Sequence, residues 1–397
     1  MRLAYLDPHP VPDDSPEALQ ILQTVDALGR LGVELYLVTP RPVQSVEGIL
    51  GRPLSARVSL LPYDAPRLLS RFSNRPFYRH AERQLARLAP DVVLLRNLKL
   101  ADRLLAQPGH PPLFFETHEH FARSFQEEHP LDSWKRRRKG YLLQQREARV
   151  YTRCQGLLTI TPHLYPDLQA AYGFDTPHRV APSGVDLELA SRSRVSPATG
   201  GPPTILYLGS LHRWKGLETA LQAMGQVEGA LLRIVGGEDG RIAELQALAR
   251  QLGVADKVDF AGRIAPLRRF EAIAQADICL LPLSHTGLGS RYTSPLKLFE
   301  YLAMGKAVVA GDLPTIRDVL HHGENGWLVN PEDPTALADG LNTLLRDEAL
   351  RHRLGEAGVL VARRYSWAER ARQMLEFFQQ HGKPTENVTP LAARESV

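Results

Sequence analysis

The feature that most constrains this chain is an alternation of short apolar runs with amphipathic helical stretches, joined by short connections. Residues 2–6 are one such run, followed by a Pro- and Asp-rich loop from His9 to Pro16. Residues 17–31 then carry Leu19, Leu22, Val25, Leu28 and Leu31 at three-residue steps, the spacing of a helix with one buried face. Gly32 ends that helix, and residues 33–39 read as a second strand. Strand, helix and strand this close together form a parallel pair with a right-handed crossover. The pattern continues through a helix at 76–88, strands at 91–95, 112–116 and 156–160, and a tight turn that closes at Asp186. Sheets of this kind place their ligand-binding loops at the C-terminal ends of strands.

A polar stretch at 187–203, ending in Gly200-Gly201-Pro202-Pro203, reads as an interdomain linker. A second strand–helix series starts at once, with strands at 205–208, 231–235, 258–260, 277–281 and 307–310, and a turn and strand at 324–329. Helices at 334–346, 348–363 and 366–380 finish it. At 397 residues the chain exceeds the ~250–300 at which single cores stop growing, so two domains are expected. They are 1–186 and 204–365, with helix 366–380 packing back on the first, and 381–397 disordered. The fold class is therefore α/β: two doubly wound, Rossmann-like domains facing across a cleft.

Composition narrows the partners. A net charge of +4 does not argue for nucleic acid. The two cysteines, Cys154 and Cys279, stand in no metal-type spacing and suit a reducing compartment. No run approaches the ~18 apolar residues of a membrane span, and the first residues are too soon broken to be a signal peptide. A cytoplasmic location is expected.

Three stretches carry chemistry. In 293–310, Thr293 or Ser294 is expected to cap a helix with Pro295 at its first position, and Gly305 stops it before a buried strand. The helix N-terminus suits a phosphate, and Glu300, set among large apolar residues, suits a ribose diol. Pairing of Glu300 with Lys297 one turn earlier is the plainer alternative. The second stretch is Thr117-His118-Glu119-His120, which follows a strand and so falls where this architecture binds ligands. The third runs from Asp132 to Arg153, with eight Lys or Arg against two acids. Such a basic amphipathic stretch fits an anionic membrane surface or an acidic acceptor, or simply a solvated face.

These pieces together resemble the retaining glycosyltransferases of family 4, which have the GT-B fold. The resemblance is carried by Leu208-Gly209, Trp214-Lys215-Gly216, Leu232 to Gly237, Val258 to Gly262, Ala276 to Pro282, Ser294 to Gly305 and Gly323 to Gly326, in that order. Pro182 to Asp186 adds a similar turn in the first half. The resemblance implies that Lys215 and the backbone of Ser294, Pro295, Leu296 and Lys297 hold the donor diphosphate, and that Glu300 binds the ribose. It places Gly262 and Arg263 against the base, His118 beside the donor sugar and acceptor, and a loop from Gly287 to Arg291, including Gly289, over the sugar. Two positions depart from the family pattern. Tyr292 stands where a glutamate is common, and Ser210 where an arginine is usual; Arg213 or Arg291 is the candidate for the missing cation.

The function so implied is transfer of a sugar, with retention, from a UDP- or GDP-linked donor to an acceptor hydroxyl, without a metal or other cofactor. A glycan or lipid-linked acceptor is expected, with peripheral contact to the inner membrane face through 134–153. An inactive nucleotide-sugar-binding partner of another transferase, or a GT-B-fold epimerase, stays open.

Overall fold

A computed structural model describes residues 1–13, 15–64, 73–194, 201–285 and 291–382. The chain divides into two compact units, one of Met1–Pro182 together with the chain from Trp367, the other of Ser183–Ser366.

In the first unit the strands are β1 (Arg2–Leu6), β2 (Glu34–Pro40), β3 (Val58–Tyr63), β4 (Val92–Leu95), β5 (Leu113–Thr117), β6 (Gly156–Thr159) and β7 (His178–Val180). They form one parallel sheet in the order β3-β2-β1-β4-β5-β6-β7. Its helices are α1 (Pro16–Arg30), α2 (Val46–Leu50), α3 (Arg75–Leu88), α4 (Leu98–Leu105), α5 (Phe121–Glu128), α6 (Trp134–Arg153) and α7 (Leu164–Tyr172). The sheet is covered on both faces, so its central strands are apolar throughout rather than alternating. In β1, Leu3, Ala4, Tyr5 and Leu6 are at most 1 % exposed. The buried stripe of α1 is Ala18, Ile21, Leu22, Val25 and Leu28, while Leu31 is 43 % exposed and caps the helix end.

The second unit opens with α8 (Leu187–Ser193) and the strand β8 (Thr204–Leu208), followed by α9 (Leu217–Ala223), β9 (Leu231–Val235), α10 (Asp239–Gln251) and β10 (Val258–Gly262). Next come α11 (Arg269–Ala274), β11 (Ile278–Leu281), α12 (Leu296–Ala303), β12 (Ala307–Gly311), α13 (Pro314–Arg317) and β13 (Trp327–Val329). Helices α14 (Pro334–Arg346) and α15 (Glu348–Ala362) end the unit, and α16 (Trp367–His381) belongs to the first unit. The parallel sheet runs β10-β9-β8-β11-β12-β13. Alternate residues serve opposite cores: Ile205, Tyr207, Ile278 and Leu280 on one face, Leu206, Leu208, Cys279 and Leu281 on the other.

Helix α16 is held in the first unit by aromatic packing. Phe377 and Phe378 meet Phe114 of β5 with ring centroids 5.4 and 4.7 Å apart. Burying each such ring is worth ~1.5–3 kcal/mol. Two expectations need correction. The stretch read as a linker is in part helix α8, capped by the Asp186 side chain accepting from Leu189 N–H. Its Ala190 and the preceding Val185 are buried in the core of the second unit, so that unit begins at Ser183 rather than after residue 203. Of the terminal stretch from 381, only His381 and Gly382 lie within the described residues.

Candidate functional site

Each sheet has one place where neighbouring strands lead off in opposite directions, and doubly wound folds bind ligands there. In the second unit it lies between β8 and β11, in the first between β1 and β4.

At the β8–β11 point, the chain leaves β8 through Gly209 and Ser210 into a single turn of 3-10 helix, Arg213–Lys215. The Trp214 carbonyl accepts hydrogen bonds from Ser284 N–H and Oγ at 3.0 and 3.1 Å, which pins this turn to the end of β11. Gly216 closes it at φ +73, and a Cβ there would sit 1.7 Å from the Pro282 carbonyl oxygen. No larger residue fits that approach. The turn sets Lys215 Nζ 3.6 Å from the centroid of the Trp214 ring. Burial, with Lys297 nearby, lowers the Lys215 ammonium to about 8.

Helix α12 supplies the other half. Its cap residue is Pro295, not Ser294, and no side chain caps its first N–H groups. The ψ of 114° at Pro295 keeps that residue extended, so the helix starts at Leu296. The Ser294 hydroxyl instead accepts a hydrogen bond from Ser183 N–H at 3.0 Å. Glu300 is 3 % exposed. Its two oxygens are divided between Lys297 Nζ at 3.0 Å and Arg269 Nε at 2.7 Å. Burial alone would raise the carboxyl; Lys297 and Arg269 outweigh it and hold Glu300 below its usual range. Lys297 is lowered, chiefly by its own burial. Tyr301 on the same helix accepts from Leu208 N–H at 3.0 Å, tying α12 to the end of β8.

Two cations, Lys297 and Arg269, thus share the Glu300 carboxylate, and Lys215 lies near Lys297. The cluster carries net positive charge next to a helix N-terminus that no side chain caps, an arrangement suited to an anion such as a diphosphate. The plainer sequence reading, Lys297 paired with Glu300, is present in the structure, and the third cation, Arg269, gave no local sequence signal.

The other expected donor contacts are placed less closely. Arg213 is 80 % exposed and lies 3.8 Å from Glu244. Gly262 ends β10 at φ +66, with its carbonyl accepting from Gly236 N–H. Arg263 reaches back to the Gly237 carbonyl at 3.1 Å. Ser210 and Arg291 are exposed, whereas Tyr292 is 2 % exposed. Gly289 lies outside the described residues, as does most of its loop.

In the first unit, His118 follows β5 with both ring nitrogens engaged. Nε2 lies 2.6 Å from Glu116 Oε1 and Nδ1 lies 3.1 Å from an Arg96 guanidinium nitrogen. A guanidinium only donates, so Nδ1 accepts and Nε2 carries the hydrogen given to Glu116. Burial and Arg96 lower the His118 pKa against the pull of Glu116, which fixes the neutral imidazole. Glu116 is 2 % exposed and also accepts from Arg370 of α16 at 2.7 Å. Burial would raise this carboxyl, but Arg370 and His118 hold it far below its usual range. Asp7, at the end of β1, is raised to about 7 by burial, an effect that Arg96 only partly offsets. Sequence reasoning found His118 but not the buried partners that orient it. His120 stands instead at the N-cap of α5, 3.4 Å from the buried Glu147 carboxylate.

Two family models match the chain: Glycosyltransferase Family 4 over residues 18–189 and Glycosyl transferases group 1 over residues 202–347. The chain belongs to the group 1, family 4 glycosyltransferases. This family 4 protein is similar to D-inositol 3-phosphate glycosyltransferase of Xylanimonas cellulosilytica, with 33 % identity over 60 % of each chain. It is also similar to phosphatidyl-myo-inositol mannosyltransferase of Mycobacterium tuberculosis, with 36 % identity over 50 % of this chain and 53 % of that one. The match thus spans a little over half the length of these curated relatives. Among solved structures, sucrose-phosphate synthase from Thermosynechococcus elongatus superposes with a TM-score of 0.75 at 20 % identity, covering 96 % of this chain and 98 % of that one. An Anabaena protein solved with UDP gives 0.70 at 16 % identity over 96 % and 100 %. The architecture is GT-B.

Proposed function

We propose that this protein transfers a sugar from a nucleotide-sugar donor to an acceptor hydroxyl, with retention, in the synthesis of a glycoconjugate. The observation that carries the reading is the pairing of Lys297 and Arg269 with Glu300, with Lys215 near Lys297, beside the N-terminus of α12, which no side chain caps. A nucleoside diphosphate supplies the anion this cluster lacks, and its ribose reaches Glu300 through the lone pairs not used by Lys297 and Arg269. The UDP in the Anabaena structure supports a uridine donor, with GDP the alternative.

During transfer the bond from the sugar's anomeric carbon to the diphosphate oxygen breaks, and charge grows on that oxygen. Lys215 and the α12 N–H groups offset it. The acceptor hydroxyl attacks the same face, and the departing phosphate oxygen takes its proton. His118 is assigned to alignment of sugar and acceptor, because its Nδ1 already accepts from Arg96 and its hydrogen is committed to Glu116. Metal independence is part of the proposal and follows from the family.

The acceptor is proposed to be a glycan or lipid-linked sugar presented at the inner, cytoplasmic face of a membrane. Among the described residues no helix is long and apolar enough to cross a bilayer. Helix α6 offers a peripheral contact: Trp134, Tyr141 and Leu142 are 67, 59 and 37 % exposed, with Lys135, Arg137 and Arg138 exposed beside them. That pairing of amphipathic apolar groups with cations suits an anionic headgroup layer.

The test is a thermal-shift screen against UDP, GDP, ADP, dTDP and CMP, then their sugars. A ligand that binds only the folded state raises the melting temperature with concentration. One nucleotide is expected to do so, and Glu300→Gln is expected to abolish the shift. A flat response to all five would remove the donor site and with it the proposal.

A further inference from the structure

Helix α3 carries Arg75, Arg79, Arg83 and Arg87 at four-residue intervals, and all four side chains are exposed. Like charges at this spacing repel along a helix. Several other exposed arginines on helices take an acid one turn away, as Arg30 does with Asp26, Arg192 with Glu188 and Arg372 with Glu376. The α3 arginines have no acidic partner among the described residues. Glu82, the helix's one acid, is drawn off by Arg103 and by Gln107 at 2.6 Å. The opposite face of α3, with Phe77, Tyr78, Ala81, Leu85 and Leu88, is buried and holds the helix in place. The four guanidinium groups therefore form an unpaired cationic row on a rigid element.

We propose that this row docks a linear acidic glycan, the extended part of the acceptor, and this rests on the sugar-transfer reading above. Successive arginines stand about 6 Å apart along the axis and span about 18 Å. Guanidinium groups take carboxylates or phosphates in paired, directed hydrogen bonds. Each step also turns the row by about 40°, so its ends face about 120° apart. A flexible chain follows such a path, whereas a flat bilayer meets only part of it. None of the large exposed apolar side chains lies on α3, in contrast with α6, so nothing here inserts among lipid tails. Glu82 and Ala86 lie beside Arg79 and Arg83 in an open groove, which leaves room for a sugar ring between charges.

The experiment measures binding of the full chain to oligogalacturonate, a linear polycarboxylate, across a salt series. Neutral dextran, phosphatidylglycerol-rich vesicles and a DNA duplex serve as comparisons. The unmodified protein is expected to bind oligogalacturonate with an affinity that falls as salt rises. R79Q/R83Q is expected to weaken binding about tenfold and flatten the salt slope by about two charges. R250Q/R346Q makes the same charge change on exposed positions of the second unit and is expected to change little. No binding, binding equal to dextran, equal loss in both double variants, or tighter binding to vesicles or DNA would each overturn the assignment. The nucleotide thermal shift is recorded on the same samples. If it survives in R79Q/R83Q while glycan binding is absent, the docking row alone fails; if it is absent from the start, the sugar-transfer reading fails.

Discussion

Arg370→Met tests whether the buried network behind His118 is a single electrostatic unit. Arg370 is 3 % exposed; it donates to Glu116 at 2.7 Å and to the Pro182 carbonyl at 3.0 Å, and also bonds the Ala181 carbonyl. Methionine fills much of the same volume but leaves Glu116, 2 % exposed, without its largest source of opposing charge. Breaking a buried ion pair from one side costs ~3–5 kcal/mol, because the remaining charge stays desolvated. With a urea m-value of ~1–3 kcal/mol/M, the midpoint of the first unit falls by ~1–5 M. Trp134 and Trp367 report on that unit by fluorescence once Trp214 and Trp327 are replaced by Phe. The pH dependence has a definite sign. Glu116 is held below its ordinary 4.5, so its contribution is full above that pH and is lost as acid protonates it. The gap between the unmodified protein and the variant is therefore largest near neutrality and narrows below pH 4.5. Removing Arg370 also lifts one of the influences that lower His118. E116Q/R370M is expected to lose less than the two single changes together, since neither charge is then stranded. A loss under ~1 kcal/mol for Arg370→Met, or a gap indifferent to pH, would refute the reasoning.

Lys215, lowered to about 8, must be charged to hold a diphosphate, so nucleotide affinity falls as pH rises through 8. In the free protein the same burial opposes folding while the ammonium is charged, and that cost fades above this pH. Lys215→Arg is expected to flatten the affinity profile in calorimetric titrations, and a flat profile in the unmodified protein would contradict the site. Gly216→Ala forces a Cβ to within 1.7 Å of the Pro282 carbonyl, whereas Gly229→Ala, also at positive φ, meets nothing within 4 Å. Gly229→Ala should cost only the backbone term of ~1–2 kcal/mol, and Gly216→Ala clearly more, with loss of the nucleotide shift. Equal melting temperatures for the two variants would show that the turn is not packed as described.

Much of the fold was legible because it rests on local patterns. Short apolar runs, helices with one buried stripe and stop signals such as Gly32 and Gly305 name a doubly wound fold without any long-range information. Two details escaped for a physical reason. Helix α8 is short and rich in Ser and Arg, so its own sequence barely favours a helix; burial of Ala190 against the second core decides it. Ser294 has the composition of a helix cap, yet its hydroxyl is taken by Ser183 N–H, a contact 111 positions away.

The site divides along the same line. Lys215, Lys297, Glu300 and His118 stand beside strand ends and helix starts, so their positions follow from backbone patterning that the sequence by itself determines. Their charge states do not. Arg269 reaches Glu300 across 31 positions, and Arg370 reaches Glu116 across 254. Whether a buried carboxylate is tolerated depends on such partners, because desolvation is local in space rather than along the chain. The tertiary structure alone brought Arg269 to Glu300 and decided which nitrogen of His118 keeps its hydrogen.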